Sequence, residues 1–312
     1  MRALARRAAT ILATGYILYF YSERLFWSFL RPGDQPGDLI LGWLVYSLLA
    51  WIFLLLVRQC RVASFPALYV AGAVFGWLAE GVVVDTLYGS PDNPFPLSIS
   101  FTGLAWHALI TVGLGWYVQA KVLTGARPWK SAVFAIALGV GWGLWAGWWP
   151  AELDRASTSA WRFAAHAAAC SILLVLSWIV LGSVRPGSFR PGRLELPILL
   201  GLAALFFALV RVPATPRSAL ILPPLLLLCT YGLWRSRHHE ERPDLLEMTL
   251  GRIRPAACLP LLLMPAAAIA IYAPVAILGW TLPTNWLLYL TTMPLGFICL
   301  LLALWRLHRL GR

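Results

Sequence analysis

Charged residues are scarce in this chain, and their scarcity decides its class. Only 12% of the 312 residues are Asp, Glu, Lys or Arg, whereas 60% are hydrophobic. Soluble proteins carry about 25% charged residues, so the composition excludes a soluble globular protein. Acidic residues are the scarcer charged type, 13 against 25 Lys and Arg, and the net charge is +12.

Several sequence signatures are also missing. The chain has no Gly-x-Ser-x-Gly, His-Glu-x-x-His or Walker A pattern, and no dinucleotide-binding pattern in a strand context, so none of the enzyme classes that these signatures mark is indicated. Its five cysteines form no Cys-x-x-Cys and fall within apolar segments or at their edges. This placement favours packing roles over a disulfide framework.

Long hydrophobic segments are what the chain does contain. Ten of them have roughly 17 to 25 residues, enough for each to cross a hydrocarbon core of about 30 Å as a helix. They cover residues 8–29, 38–57, 65–86, 99–120, 131–149, 158–182, 195–213, 218–234, 256–279 and 285–305. The sequence therefore predicts an all-α polytopic membrane protein with about ten transmembrane helices.

The basic residues indicate the orientation of these helices. With the N-terminus inside the cell, 19 of the 25 Lys and Arg fall in the two tails and the even-numbered connections. Because positively charged loops stay on the cytoplasmic side, both termini are predicted to be cytoplasmic. This clustering attributes the net charge to membrane orientation and argues against nucleic acid as a partner. The expected location is the cell membrane, multi-pass, in a bacterial cytoplasmic membrane.

The two halves of the chain differ in polarity. Residues 1–183 contain every acid and histidine that is expected to be buried in a span, and are predicted to form a six-helix unit that carries the polar site. Residues 184–193 are rich in Gly, Pro and Arg, as in a cytoplasmic linker. Residues 194–312 are predicted to form a four-helix apolar supporting unit.

Four ionisable residues within the predicted spans form the candidate site. With a rise of about 1.5 Å per residue, Glu23 and Glu80 lie roughly 22 Å from the cytoplasmic starts of their helices, and His107 and His166 roughly 12 Å below the outer starts of theirs. All four are therefore expected in the outer half of the membrane, with Asp85 slightly above them. Ionisable groups are costly in hydrocarbon, so they are expected to face a cavity or one another.

Other residues share helical faces with this polar layer or lie at its outer rim. Indole rings could line a pocket for a lipid or lipid-linked group, and arginines could pair with Glu23. The candidate substrate-binding residues are Trp77, Trp106, Trp142, Trp145, Tyr19, Arg24, Asp85, Glu152 and Arg162. The alternative interpretation is that the tryptophans belong to interfacial belts and that local pairs such as Glu80 with His107 only lock helices together.

Glycine spacing predicts where helices approach closely. Gly72 and Gly76 share one face with Glu80, and Gly139, Gly143 and Gly147 form a stripe in the fifth span. Small residues at this spacing let helix backbones pack closely in membranes.

Three functions are compatible with these features. The first is an integral membrane enzyme that acts on a lipid or lipid-linked substrate, with Glu80 and His107 as acid and base and with Glu23 and His166 assisting. The second is a proton-coupled secondary transporter, and the third is a haem- or metal-binding subunit of a larger membrane complex. The sequence identifies no cofactor and assigns no metal ligand, since the polar run 238–241 is better explained as a solvated loop.

Overall fold

Helices make up nearly all of the part of the chain that the computed structural model describes, namely residues 2–25, 35–125, 127–147, 158–237 and 243–310. These ranges contain no β-strand. The first helix, α1, spans Arg2–Tyr19 and continues as a π-helical turn, Phe20–Arg24.

Nine further helices within the described ranges are long and apolar enough to cross a membrane. In chain order they are α2 (Gly37–Gln59), α3 (Phe65–Val83), α4 (Ile99–Thr124), α5 (Pro128–Ala146), α6 (Ala160–Ser183), α7 (Glu195–Ala214), α8 (Ser218–Ser236), α9 (Pro255–Ile277) and α10 (Thr284–Arg309). They coincide with the last nine predicted segments. The prediction of a helical multi-pass membrane protein is therefore confirmed.

The first predicted segment, 8–29, is helical as far as Leu25, where its described part ends. It is not among the nine because its tyrosines and threonines, together with Glu23 and Arg24, make it less apolar than the others. A tenth crossing and the cytoplasmic position of both termini stay predictions.

Contacts divide the chain into two compact units, each drawn from three stretches. Unit 1 comprises Met1–Ser47, Gly115–Ser188 and Thr249–Tyr289, and unit 2 comprises Leu48–Leu114, Phe189–Met248 and Leu290–Arg312. The predicted separation of residues 1–183 from residues 194–312 is a division by function, and it stays a prediction.

In unit 1 the glycine stripe of α5 packs against α9. A Cβ at Gly143 would lie 2.6 Å from the carbonyl oxygen of Ala268, and one at Gly139 would collide with the carbonyl of Met264. Tyr16 joins α1 to α6 by donating a hydrogen bond of 3.1 Å to the carbonyl of Cys170.

In unit 2 the glycine face of α3 packs against α4. A Cβ at Gly72 would lie 3.0 Å from the Cα of Ala108. Tyr69 joins α3 to α10 by donating a 2.8 Å hydrogen bond to the carbonyl of Gly296. Of an 18-residue apolar stretch of α3, 83% is buried, compared with 17% of the corresponding stretches of α7 and α10. Helix α3 is therefore a core helix, while α7 and α10 expose most of their apolar surface.

Candidate functional site

Glu80 lies where α3 ends. The last five residues of α3, Ala79–Val83, form a π-helical turn, after which Val84 is extended and a short 3₁₀ helix, Thr86–Tyr88, reverses the chain. Tyr88 fixes this reversal by donating a 2.6 Å hydrogen bond to the carbonyl of Gly81. The carboxylate is thus held between the end of a core helix and the loop that follows it.

The Glu80 carboxylate contacts His107 of α4. Glu80 Oε1 and His107 Nε2 are 2.7 Å apart, and the Thr86 hydroxyl donates to the other carboxylate oxygen, Oε2. The side chain of His107 is only 2% exposed and that of Glu80 is 13% exposed. Glu80 is therefore the member of the pair that a ligand or proton reaches first, and His107 is the enclosed member behind it.

Close helix packing sets the geometry of this pair. A Cβ at Gly76 would lie 2.7 Å from the Cβ of His107, so only glycine permits the observed approach of α3 to α4. Trp77 is fully buried, and its indole N–H donates a 3.0 Å hydrogen bond to the carbonyl of Ile99 at the start of α4. The ring of Phe75 packs edge-on against His107, with centroids 5.5 Å apart.

Arg211 lies beside the same helix end. Its Nη2 donates to the carbonyl oxygens of Val83 at 2.8 Å and Val82 at 3.4 Å, and its Nη1 is 3.5 Å from Asp85 Oδ2. The Asp85 side chain is 64% exposed, which places this carboxylate at the surface of unit 2. An arginine thus borders the turn that carries Glu80.

Unit 1 contains the second predicted acid, Glu23, in the π-helical turn of α1. Tyr46 of α2 donates a 2.9 Å hydrogen bond to Glu23 Oε1. Next to Glu23, Arg24 is only 6% exposed, and its guanidinium lies 4.9 Å from the centroid of the Tyr19 ring. Its Nε and Nη1 are buried without a hydrogen-bond partner. A buried arginine of this kind in an apolar segment is costly, which marks it as a functional candidate.

His166 lies on α6 in unit 1. The Sγ of Cys170 is 3.7 Å from His166 Nδ1, one helical turn further along α6. The Trp142 ring packs edge-on against His166 with centroids 6.4 Å apart, and it also packs edge-on against Phe20 and Phe163. Trp142 is therefore a packing centre of unit 1 that borders the histidine.

The remaining predicted residues have varied positions. Trp106 is half-buried in α4 and packs edge-on against Phe101, whereas Trp145 is 4% exposed in α5. Arg162 is exposed and lies over the ring of Trp161. Glu152 and the polar run 238–241 lie outside the described residues.

The four central residues are thus brought together in part. Glu80 and His107 are in direct contact within unit 2, and Glu23 and His166 both belong to unit 1. Among the residues that the structure describes, no group of three or more His, Cys, Asp or Glu side chains is arranged to hold a metal ion.

Three of these four residues lie in π-helical segments. Glu23 is in Phe20–Arg24, Glu80 is in Ala79–Val83 and His107 is in Ile99–Val118. Arg211 ends a further π-helical turn, Phe207–Arg211. The five-residue turns at Glu23, Glu80 and Arg211 are of a kind that is rare and occurs frequently at functional sites. The backbone therefore marks Glu23 and Glu80, which the charge pattern also marks, whereas His107 lies in a longer segment of 20 residues.

Sequence reasoning missed Thr86, Tyr46 and Arg211. Thr86 ends the apolar segment 65–86 and Tyr46 lies within the apolar segment 38–57, and neither is ionisable near neutral pH, so neither stands out by composition. Arg211 did carry a signal, because it is an ionisable residue near the end of the apolar segment 195–213. Comparison of the chain with family models, curated proteins and solved structures finds no match.

Proposed function

We propose that the protein is an integral membrane enzyme in which Glu80 and His107 form an acid–base pair acting on a lipid or lipid-linked substrate. The 2.7 Å contact between Glu80 Oε1 and His107 Nε2 is the observation that carries this proposal. A carboxyl and an imidazole in direct contact share a proton readily, and proton transfer by positioned side chains typically accelerates a reaction by about 10² to 10⁴.

The roles of the two residues follow from their exposure. Glu80, the more accessible side chain, gives a proton to the substrate or takes one from it. His107, enclosed behind it, supplies or receives the matching proton through its Nε2. Thr86 donates to the second carboxylate oxygen and so keeps Oε1 directed at the histidine.

A lipid substrate fits the surroundings of the pair. Glu80 and His107 lie in two helices that are long and apolar enough to cross a membrane. The half-buried Trp106, which precedes His107 on α4, offers an aromatic surface to a lipid. With cytoplasmic termini in a bacterial cell membrane, as the charge distribution predicts, the site opens to the outer leaflet. Membrane lipids are then the expected partners.

Mass spectrometry of membrane lipids tests this proposal. Cells that express the wild-type chain are expected to gain or lose one lipid class relative to cells without it. Glu80→Gln and His107→Asn should each reduce that change by about 100-fold or more, the magnitude of acid–base catalysis. Asp92→Asn, which alters an exposed carboxylate of the following loop, should leave the change intact.

Two results would overturn the proposal. One is a folded Glu80→Gln variant with full activity on the affected lipid class. The other is a wild-type protein that alters no lipid class in cells or in liposomes but takes up a solute into proteoliposomes when a pH gradient is applied, with the uptake abolished by Glu80→Gln. The second result would assign the pair to proton-coupled transport.

A further inference from the structure

An apolar groove runs along α3, α7 and α8, all within unit 2. Its volume is about 290 Å³, close to the lower end of the range for small-molecule pockets, about 300 Å³. Val74 and Val82 mark its two ends on α3, and Leu200 and Phe207 mark them on α7. Among the described residues that line it, Thr230 of α8 is the one polar residue, and the rest of this lining is hydrocarbon.

The length of the groove matches one leaflet of a bilayer. Eight residues separate Val74 from Val82, which corresponds to roughly 12 Å along a helix. One leaflet contributes about 15 Å of hydrocarbon, half of the core thickness. The groove therefore has the depth of a single acyl chain and not of a membrane-spanning segment.

Two arginines lie near the outer end of the groove, and one of them is paired with Asp85. Phe207, which lines the groove, begins the π-helical turn that ends at Arg211, and Arg211 is bound to the carbonyls of Val82 and Val83. Exposed Arg217 lies at the start of α8, 3.5 Å from the carbonyl of Gly89.

Arg211 keeps hydrogen-bonding capacity for a ligand. An arginine has five N–H donors. The carbonyls of Val82 and Val83 occupy Nη2, Asp85 is 3.5 Å from Nη1, and Nε is buried without a hydrogen-bond partner. The buried Nε is not accessible, so the second N–H of Nη1, beside Asp85, is the donor left for a phosphate, a group that guanidinium binds in this way.

We propose that this groove is a binding site for an anionic membrane lipid, with one acyl chain along α3, α7 and α8 and the headgroup phosphate at Arg211. The apolar lining accounts for the chain, and the two arginines at the end account for the charge. The site stands independently of the acid–base role of Glu80 and His107. If the groove proved not to bind an anionic lipid, the proposed role of Glu80 and His107 would not be affected.

Native mass spectrometry of the purified full-length protein tests the site, with phosphatidylglycerol and phosphatidylcholine as probes. Wild type is expected to retain phosphatidylglycerol preferentially. Arg211→Gln should lower the affinity for it by about tenfold, the effect of losing a charged hydrogen bond. Arg309→Gln, at the end of α10, is the charge control and should bind like wild type.

A second pair of variants tests the groove itself. Ala204→Phe fills the groove and should weaken binding of both lipids, whereas Ala208→Phe, four residues along α7 and outside the lining, should not. A phosphatidylglycerol with a photoreactive group in its acyl chain should label Leu226, Leu227 or Thr230 of the wild-type protein. This labelling does not depend on how any variant folds.

Three results would overturn the proposal. They are equal retention of the two lipids by wild type, labelling confined to residues outside the groove, and unchanged phosphatidylglycerol binding by folded Arg211→Gln. Soluble glycerol phosphate that binds as tightly as the lipid, and regardless of Ala204→Phe, would assign Arg211 to a water-soluble anion instead.

Discussion

The backbones of Gly76 in α3 and Gly103 in α4 are in direct contact, so that a Cβ at Gly76 would collide with the Gly103 carbonyl. Glu80 and His107 each follow one of these glycines by four residues, or about one helical turn. The close approach of the two helices therefore sets the distance between carboxylate and imidazole. Packing and the candidate chemistry depend on the same contact.

Gly76→Ala is expected to destabilise the protein and to disturb the pair. The added methyl would meet the Gly103 carbonyl and the Cβ of His107, and overpacking of this kind costs about 1 to 3 kcal/mol. Reversible unfolding in mixed micelles measures the loss of unfolding free energy. The proposed activity should fall with it, because α4 must move away from α3.

Gly201→Ala is the matched control, since nothing lies within 4 Å of a Cβ at that position of α7. It should be neutral or should stabilise the helix by up to about 1 kcal/mol. Equal effects of the two substitutions would contradict the packing argument.

Glu80 and His107 should be energetically coupled. Hydrogen bonds between transmembrane helices contribute about 0.6 kcal/mol on average and up to about 1.7 kcal/mol. A short, largely buried pair should approach the upper value. Unfolding free energies of Glu80→Gln, His107→Asn and the double variant give the coupling. Combining Glu80→Gln with His308→Asn, which alters an exposed histidine of α10, should be additive.

Arg61 occupies a backbone conformation that favours glycine. Its φ is 51°, and it follows α2 in a Schellman arrangement, with the N–H of Val62 bonded to the carbonyl of Val57 and its own N–H to that of Arg58. Arg61→Gly should be more stable than Arg61→Ala by about 1 kcal/mol, because the left-handed conformation costs residues that carry a Cβ. Both variants lack the charge, so their difference in unfolding free energy measures the cost of the left-handed backbone conformation for a residue with a Cβ. A more stable alanine variant would contradict this assignment.

Much of the fold could be predicted from sequence, because the length of each apolar segment indicates that it can cross a membrane as a helix. The Glu80–His107 contact was also accessible, since α3 and α4 are consecutive and depth along each helix suffices to align them. Uncharged partners whose contact depends on helix rotation were not accessible. The hydrogen bond from Tyr46 to Glu23 depends on how α2 rotates against α1, and no spacing rule gives that rotation.

Arg211 shows a different limit of sequence reasoning. It is one of the six Lys and Arg outside the cytoplasmic tails and connections, and its position near the end of an apolar segment does not distinguish it from the others. Its contacts with Val82 and Val83 arise from the meeting of α7 and α3, which are more than 100 residues apart in the chain. The groove depends on the same tertiary contact.

The π-helical turn at Glu80 also determines how the chain tolerates changes in length. Such a turn amounts to one residue inserted into an α-helix. Deleting one residue within Ala79–Val83 would close the turn and leave the preceding α-helical part of α3, Phe65–Leu78, unchanged. In α6, which is α-helical throughout, a deletion would rotate every later residue by about 100°. A related chain that lacked this one residue would keep the fold of α3, but the Glu80 carboxylate would no longer be directed at His107.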